Sequence, residues 1–253
     1  MIIAIANQKG GVSKTTTTAA LATGLKNRGY KVLAIDLDAQ GNLSDGAGAD
    51  CQGVTIYDVM KGNVAANDAI QHLDAFDCIP ANILLASADL EFTATGKEYK
   101  LKECLSPIVD DYDFIVLDTP PALSIMTVNA FTAANEVIIP STPGIFAASG
   151  IAQLFKSIET VRKYCNPSLR IDGILLTRFN SRHNIGQDIK SLTEQAGEHI
   201  NAKVYDTHIR SSVVVEEAQA LKMDIYSYSP KNNVTLDYTA WVDEYLEGVK
   251  ERG

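Results

Sequence analysis

The residues best suited to chemistry occupy positions 7–16, in the run Asn-Gln-Lys-Gly-Gly-Val-Ser-Lys-Thr-Thr. A short apolar run at 2–6 precedes them and a helical pattern follows. Because N–H groups at a helix start are unpaired and the helix dipole is positive there, this position attracts phosphates. Lys14 can reach the outer phosphates of a nucleotide, and the Thr15 hydroxyl can coordinate Mg²⁺. The segment therefore predicts a phosphate-binding loop.

Two positions of this segment depart from the strict pattern GxxxxGK[ST], because Gln8 and Ser13 stand where it has glycines. Taken alone, the segment also fits a Gly-Gly turn before a helix start rich in Lys and Thr. A positive φ at Ser13 would strain the loop by about 1–2 kcal/mol, whereas a helical φ would make the side chain harmless. We expect the helical φ, and we expect Ser13→Gly to leave nucleotide affinity within a few-fold.

Acidic side chains stand at the ends of two further apolar runs. Asp118 follows the run at 114–117, and Asp36 and Asp38 follow the run at 32–35. An aspartate at such a place can hold Mg²⁺ beside a phosphate loop, although Asp118 also fits a simple helix cap. The carboxyl ends of parallel strands meet at one sheet edge, where ligands bind. We therefore expect these acids and the phosphate loop to converge.

Apolar runs alternate with helical patterns along the chain, which positions these residues. Strands are predicted at 2–6, 32–35, 114–117, 137–140 and 171–177, with 76–79 as a further candidate, and helices at 15–28, 97–109, 125–134 and 146–164. Residues 40–75 predict a loop region with a short helix near 56–60. The alternation predicts an α/β fold: one domain with a doubly wound, mostly parallel β-sheet and helices on both faces.

Composition limits the classes of function. The net charge of -9 argues against a wholly basic nucleic-acid binder. Residues 1–150 carry 9 Lys and Arg against 17 Asp and Glu, whereas residues 151–253 carry 13 against 14. A DNA-binding face is therefore expected mainly in the second part. The 4 cysteines are far apart and lack metal-ligand spacing, which predicts reduced, buried or half-buried thiols.

Several motifs together resemble one known family. Residues 9–15, Lys-Gly-Gly-Val-Ser-Lys-Thr, resemble the deviant Walker A motif KGGxGKT of the ParA/MinD P-loop ATPases. Residues 36–42 resemble the family's DxDPQGN switch segment, with Ala39 in place of proline, and 117–121 resemble its Walker B segment. The resemblance continues through 129–130, 176–179, 209–210 and 217–218. It covers nearly the whole chain and favours the ParA/Soj branch.

The resemblance implies an ATPase with a slow intrinsic rate and with ATP and Mg²⁺ as cofactors. Lys9 is the family's signature lysine, which reaches the nucleotide of a second subunit, and Asp38 matches the residue that positions the attacking water. The implied catalytic residues are Lys9, Lys14 and Asp38; the nucleotide-binding residues are Lys9, Gly10, Gly11, Val12, Ser13, Lys14, Thr15, Thr16, Arg178 and Ile209; the metal-binding residues are Thr15, Asp36 and Asp118.

The resemblance also implies partners and a place of action. It implies a homodimer formed with ATP, non-specific DNA bound through Arg182, Arg210 and Lys203, and a ParB-like centromere-binding protein that stimulates hydrolysis. Arg178 and Lys222 are further candidates, and ordinary solvated side chains are the alternative for each. The protein would be cytoplasmic and nucleoid-associated. A low-turnover ATP-binding switch for replication or sporulation, or an ATPase that positions another cargo, remain alternative functions.

The end of the chain bears on a membrane partner. Apolar residues recur at helical spacing through 238–249, but the polar face is mostly acidic. An acidic face is repelled by anionic lipid, so we expect this helix to pack on the protein body, with no membrane partner. No helix-turn-helix is expected before the phosphate loop, since the first predicted strand begins at residue 2.

Overall fold

The computed structural model describes residues 1–144, 147–179, 191, 193–195 and 197–252. These residues form an eight-stranded sheet with the order β3-β4-β2-β5-β1-β6-β7-β8. The strands are β1 Ile2–Ile5, β2 Val32–Asp36, β3 Gln71–His72, β4 Asp77–Ile79, β5 Phe114–Asp118, β6 Glu136–Ser141, β7 Arg170–Leu176 and β8 Lys203–Val204. The β3 pairing with β4 is antiparallel, and the other pairings of the described strands are parallel. The predicted mostly parallel sheet is confirmed.

Helices connect these strands. They are α1 Lys14–Lys26, α2 Asn42–Gly46, α3 Ile56–Lys61, α4 Ala88–Glu91, α5 Lys100–Leu105, α6 Ile125–Ala133, α7 Ala147–Tyr164, α8 Val214–Ala220, α9 Ile225–Tyr228 and α10 Asn233–Arg252. Short 3-10 helices span Ala66–Ala69, Ile83–Ser87, Lys97–Tyr99 and Val109–Asp111.

Most predicted helices are confirmed, and one is wrong in part. The predictions at 15–28, 125–134 and 146–164 match α1, α6 and α7, although residue 146 lies outside the described residues. The predicted helix at 97–109 is instead a 3-10 turn, α5 and a second 3-10 turn. Pro107 explains the interruption after α5, because proline lacks the N–H that a continuing helix needs.

Apolar side chains cover both faces of the central strands. On one face, Ile2, Ala4, Leu33, Ile35, Ile115 and Leu117 belong to a buried cluster with residues of α3, α5, α6 and α7. On the other face, Ile3, Ile5, Val32, Ala34, Phe114 and Val116 belong to a cluster with residues of α1 and α10. Burial on both faces explains why these strands read as continuous apolar runs.

Helix α10 packs on the protein body as predicted. Tyr238, Trp241 and Tyr245 are at most 1% exposed. The Tyr245 hydroxyl donates a 2.6 Å hydrogen bond to Glu136, which anchors α10 to β6. Among the described residues, no helix combines the length and the hydropathy that crossing a membrane requires. The four cysteines are free and buried or half-buried, as predicted.

Candidate nucleotide-binding site

The loop between β1 and α1 is tied to the ends of two neighbouring strands. Asn7 donates a 2.7 Å hydrogen bond to the Pro140 carbonyl of β6, and its side-chain oxygen accepts the Lys9 N–H at 2.9 Å. The Thr177 hydroxyl, just after β7, donates to the Val12 carbonyl at 3.1 Å. These bonds hold the loop at the carboxyl edge of the sheet, where the sequence predicts it.

Ser13 overturns one expectation about this loop. It precedes α1 with φ 62° and ψ 31°, which is the left-handed conformation and not the expected helical one. The backbone must turn there so that the helix start faces the sheet edge, and Gly11 adopts a φ of 72° in the same turn. The Ser13 side chain makes no capping hydrogen bond to α1. Its left-handed backbone is therefore strained by about 1–2 kcal/mol without local compensation.

A cavity of about 640 Å³ opens at the first turn of α1. Five of the predicted nucleotide-binding residues line it, namely Gly10, Gly11, Ser13, Lys14 and Thr15, and so does Asp38. Its volume lies within the range of ligand and cofactor sites in proteins. The structure therefore brings the phosphate loop and the switch acid together around one space.

Lys14 is the buried cation of this cavity. Its exposed fraction is only 8%, and its Nζ lies 3.4 Å from the Lys9 carbonyl oxygen. Burial lowers the pKa of Lys14, while the carboxylates of Asp118 and Asp38 act in the opposite direction. An anion in the cavity would stabilise the charged ammonium, because it would replace the hydration lost on burial.

Two buried acids stand side by side below the loop. Asp36 ends β2 and Asp118 ends β5, and the two residues are direct partners in the sheet. Asp118 accepts hydrogen bonds from the Thr15 hydroxyl at 2.7 Å and the Thr18 hydroxyl at 3.3 Å. Burial raises the pKa of Asp118 to about 8, with a further contribution from the charge of Asp36. Two carboxyl groups placed this way favour a cation nearby.

Asp36 has both side-chain oxygens engaged by the segment that follows it. One oxygen accepts the Asp38 N–H at 3.0 Å, and the other accepts the Ser44 N–H at 3.0 Å and the Ser44 hydroxyl at 2.7 Å. Burial raises the pKa of Asp36 to about 6, although these hydrogen bonds act to lower it. Asp36 therefore organises residues 38–44 and carries Asp38 with them. Its predicted contact with a metal stays a prediction.

The acids and hydroxyls fit a magnesium ion that arrives with a nucleotide. Within the described parts of the chain, no three His, Cys, Asp or Glu residues cluster closely enough to hold a metal by themselves. Mg²⁺ commonly takes one or two protein ligands and completes its shell with phosphates and water. Thr15 and Asp118, joined by their 2.7 Å hydrogen bond, are suited to that limited role.

Asp38 and Lys9 occupy different positions at the cavity. Asp38 is half-buried, and one of its side-chain oxygens accepts the Gln40 N–H at 3.0 Å. This bond fixes the carboxylate at the cavity wall. Lys9 is exposed at the outside of the loop and is not among the residues that line the cavity. A Cβ added to Gly144 would lie 3.9 Å from the Lys9 Nζ, so the ammonium lies near the segment that follows β6.

A second pocket of about 210 Å³ adjoins the first one. It is lined by Gly11, Ser13 and Thr16 of the phosphate loop, and by the predicted nucleotide-binding residues Arg178 and Ile209. The Ile209 N–H donates to the Leu176 carbonyl at 2.8 Å, which fixes this segment beside the end of β7. The phosphate loop and these two predicted residues thus share one continuous site.

The structure describes two of the three predicted DNA-binding residues, and their predicted role stays a prediction. Arg210 borders the second pocket and makes a two-pronged ion pair with Asp237, with both contacts at 2.7 Å. Lys203 lies on β8 with its ammonium 4.7 Å from the centre of the Tyr205 ring. Arg182 lies outside the described residues.

Sequence reasoning missed several residues of this site, among them Ser44, Asp45 and Gln219. Ser44 bonds to Asp36, Asp45 lines the larger cavity, and Gln219 of α8 lines both cavities. Ser44 and Asp45 fall within residues 40–75, which have no clear periodicity, although polar residues soon after an acid-bearing strand end are a usable signal. Gln219 is distant in sequence and carries no motif.

Known proteins resemble this chain along most of its length. A family model described as an AAA domain matches residues 1–171. The sporulation initiation inhibitor protein Soj of Bacillus subtilis is 37% identical over 236 residues, which cover 91% of this chain and 92% of Soj. The chromosome partitioning protein ParA of Caulobacter vibrioides is 36% identical over 258 residues, which cover 99% of this chain and 96% of that protein.

Solved structures resemble the whole chain. Cobyrinic acid a,c-diamide synthase from Mycobacterium smegmatis, crystallised with ADP and magnesium, superposes with a TM-score of 0.86 and is 30% identical. The alignment covers 100% of this chain and 96% of that one. The same enzyme has also been crystallised with an ATP analog and magnesium.

Proposed function

This chain belongs to the ParA/Soj family of P-loop ATPases, and on that premise we propose that it uses ATP and Mg²⁺ to drive partitioning of a plasmid or chromosome. We further propose that residues 1–253 act as a single ATPase domain. The observation that carries the proposal is that the buried Lys14 lines one cavity together with Thr15, whose hydroxyl is bonded to the buried Asp118.

The phosphates of ATP lie against the loop and the first turn of α1. Backbone N–H groups of Gly10 to Thr16 and the Lys14 ammonium stabilise their negative charge. Thr15 and Asp118 would hold Mg²⁺, and Asp36 lies beside Asp118. When bound, the ion would neutralise charge that develops on the phosphates. Arg178 and Ile209 border the base. The 2.7 Å contact of Thr15 with Asp118 and the shared lining of the pockets support these roles.

Hydrolysis uses Asp38 to orient water. The Gln40 N–H holds one oxygen of Asp38, so the other oxygen is available to accept a hydrogen bond from a water molecule. That water attacks the γ-phosphorus in line with the departing ADP oxygen, and phosphate leaves the site. Lys9 from a second copy supplies a positive charge to the phosphates. The intrinsic rate is slow, because each site is complete only when a partner contributes this lysine.

The ATP-bound homodimer binds DNA without sequence specificity and acts in the cytoplasm on nucleoid DNA. Arg182, Arg210 and Lys203 contact phosphates, and two-fold symmetry doubles the number of contacts. Since the net charge is -9, binding is weak for a monomer and steeply dependent on salt. A ParB-like partner stimulates hydrolysis and releases the dimer from DNA. No membrane takes part.

Measurement of phosphate release and ATP affinity tests this function. We expect ATP binding and Mg²⁺-dependent hydrolysis in the wild type and no ATP binding in Lys14→Ala. Lys102→Ala, which removes an exposed lysine on α5, serves as the matched control and behaves as the wild type. Tight ATP binding by Lys14→Ala would refute the role of this lysine, and the proposal with it.

Asp38→Ala separates binding from chemistry. We expect this variant to bind ATP and accumulate as an ATP-bound dimer, detected by its size in solution, while hydrolysis falls by about 100-fold or more. Normal turnover in Asp38→Ala would remove this carboxylate from the reaction.

A low-turnover ATP-binding switch is the second candidate function, and the left-handed Ser13 in the phosphate loop favours it. The two functions differ in their response to DNA and to a ParB-like protein. Partitioning predicts that the two together accelerate phosphate release, whereas a switch predicts ATP-dependent DNA binding with unchanged release.

A further inference from the structure

Lys222 has an unusual backbone conformation for a lysine. It follows α8 with a φ of 55°, in the left-handed region, and the Met223 N–H closes the helix end on the Ala218 carbonyl at 2.9 Å. Glycine is the usual residue at this place in a helix end, because any Cβ is strained there. We therefore expect the Lys222 side chain to make an interaction that glycine could not make.

The Lys222 side chain reaches across to α2. Its ammonium lies 2.8 Å from the Asp45 carboxylate, and the two side chains are 54% and 74% exposed. Ion pairs as exposed as this contribute little to folding. Stability alone therefore does not account for a strained lysine here.

Asp45 has a position at which its charge matters for the nucleotide. It lines the larger cavity together with Lys14 and Asp38, and it directly follows Ser44, which bonds to Asp36. A negative carboxylate on this wall repels the phosphates of a nucleotide. A neighbouring ammonium reduces that repulsion without entering the phosphate loop.

The same region brings α8 close to α2. A Cβ added to Gly46 would lie 3.8 Å from the Gln219 Cγ, and a Cβ added to Gly48 would lie 3.8 Å from the Lys222 Cβ. The ion pair therefore joins two elements that run close together. Gln219 of α8 lines both cavities, and α2 begins at Asn42, the last residue of the switch segment at 36–42.

We propose that Lys222 is a positioning residue for ATP, which neutralises Asp45 and holds α2 against α8 at the rim of the phosphate cavity. This inference rests on the proposed function, because it requires that ATP occupies this cavity. Lys222 acts through Asp45 and does not contact the reacting atoms. A lysine used in this way is not free to contact DNA.

Steady-state ATP hydrolysis by three variants tests the inference. Lys222→Ala and Lys222→Gly both remove the ammonium, but only glycine relieves the backbone strain. We expect both to raise KM for ATP by about 3- to 10-fold with kcat within about twofold, since one repulsion near the phosphates becomes unopposed. Lys222→Gly is expected to melt at a higher temperature than Lys222→Ala. Lys222→Arg keeps the charge and is expected to retain the wild-type KM.

A double-mutant cycle with Asp45→Asn assigns the effect to this pair. Once the carboxylate is absent, Lys222→Ala is expected to leave KM unchanged. Lys102→Ala is the control for loss of an exposed lysine, and Asn201→Gly is the control for relief of a left-handed backbone, because Asn201 has a φ of 52°.

A wild-type KM in Lys222→Ala and Lys222→Gly would overturn the inference alone, and so would a KM increase that persists in the Asp45→Asn background. A wild-type protein that binds no ATP would instead overturn the proposed function, and this inference with it.

Discussion

The molecule buries pairs of acidic side chains at opposite ends of its sheet, and the two pairs are treated differently. Asp36 and Asp118 lie at the carboxyl ends of β2 and β5. Glu136 lies at the amino end of β6, and Asp172 lies near the amino end of β7. All four are at most 6% exposed.

The pair at the amino ends of the strands, Glu136 and Asp172, is neutralised by arginines of the chain itself. Arg170 donates to Glu136 at 2.9 Å, and Arg252 lies 2.7 Å from Asp172. Tyrosine hydroxyls complete the network, with Tyr245 bound to Glu136. Both acids have a cationic partner, so they serve a structural role: they hold α10 against the amino ends of β6 and β7.

The pair at the carboxyl ends of the strands, Asp36 and Asp118, is bonded to hydroxyl and backbone N–H donors instead of arginines. Asp118 is bonded to Thr15 and Thr18, and Asp36 is bonded to Ser44 and to the Asp38 N–H. Burial raises the pKa of Asp118 to about 8. Equally buried acids therefore have different roles in the two pairs. Acids that are paired with arginines stabilise the fold. Acids that lack an arginine partner suit a site that binds a cation.

The largest expected effect comes from Asp118→Asn. This change removes the charge that would hold Mg²⁺, so we expect ATP hydrolysis to fall by about 100-fold or more and its dependence on Mg²⁺ to be lost. The protein should remain folded, because the change also removes repulsion from Asp36. Asp110→Asn, which changes an exposed acid that precedes the same strand, is the control for loss of one carboxylate. Hydrolysis at the wild-type level in Asp118→Asn would contradict the claim that the acids at the carboxyl ends of the strands serve a cation site.

Glu136→Gln is expected to have the opposite profile. It leaves Arg170 and Tyr245 with a neutral partner. The free energy of unfolding, measured with denaturant, should therefore fall by about 1–3 kcal/mol. The lower part of that range applies if water solvates Arg170, whose side chain is 44% exposed. ATP hydrolysis per folded molecule should not change. Normal stability with impaired hydrolysis in Glu136→Gln would show that Glu136 is not purely structural.

The pH dependence of nucleotide-free protein sharpens the comparison. The pKa of Asp118 is raised from 3.8 to about 8, so the folded state binds its proton more tightly than the unfolded state does. Stability from this group is therefore present at low pH and is lost as pH rises from about 4 to 8, by more than about 1 kcal/mol. Denaturant unfolding of the wild type and Asp118→Asn at several pH values measures this, and parallel curves would contradict it.

Ser13→Gly has the smallest expected effect. Relief of the left-handed backbone should stabilise the protein by about 0.5–1 kcal/mol, since part of the gain is offset by the extra freedom of glycine when unfolded. Thermal unfolding measures the gain. ATP affinity should stay within a few-fold, because glycine suits the turn as it stands. A large gain in affinity would show that the serine side chain crowds the phosphates.

Local patterns were sufficient to predict the longer strands of the sheet and the convergence of the acids with the phosphate loop, whereas the two-residue strands β3 and β8 were not predicted. Apolar runs that end in Asp36 and Asp118 carried both the strands and the acids, because strand direction brings those ends to one edge. Backbone conformation at Ser13 could not be read in this way, since the turn depends on where β6 and β7 hold the loop. The pairing of Lys222 with Asp45 joins residues 177 positions apart, and no local pattern reports it.

The central place of β1 in the sheet has a consequence for how the chain acquires its site. β1 is hydrogen-bonded between β5 and β6, which follow it by more than a hundred residues. During synthesis, the first hundred residues therefore emerge with the phosphate loop in sequence but without the strands that hold it. Pairings over such distances are slow to form and leave apolar strand edges exposed in the meantime. We therefore expect nucleotide binding to begin only late in translation, and a ligand bound at the loop to stabilise contacts between the first strand and segments more than a hundred residues away.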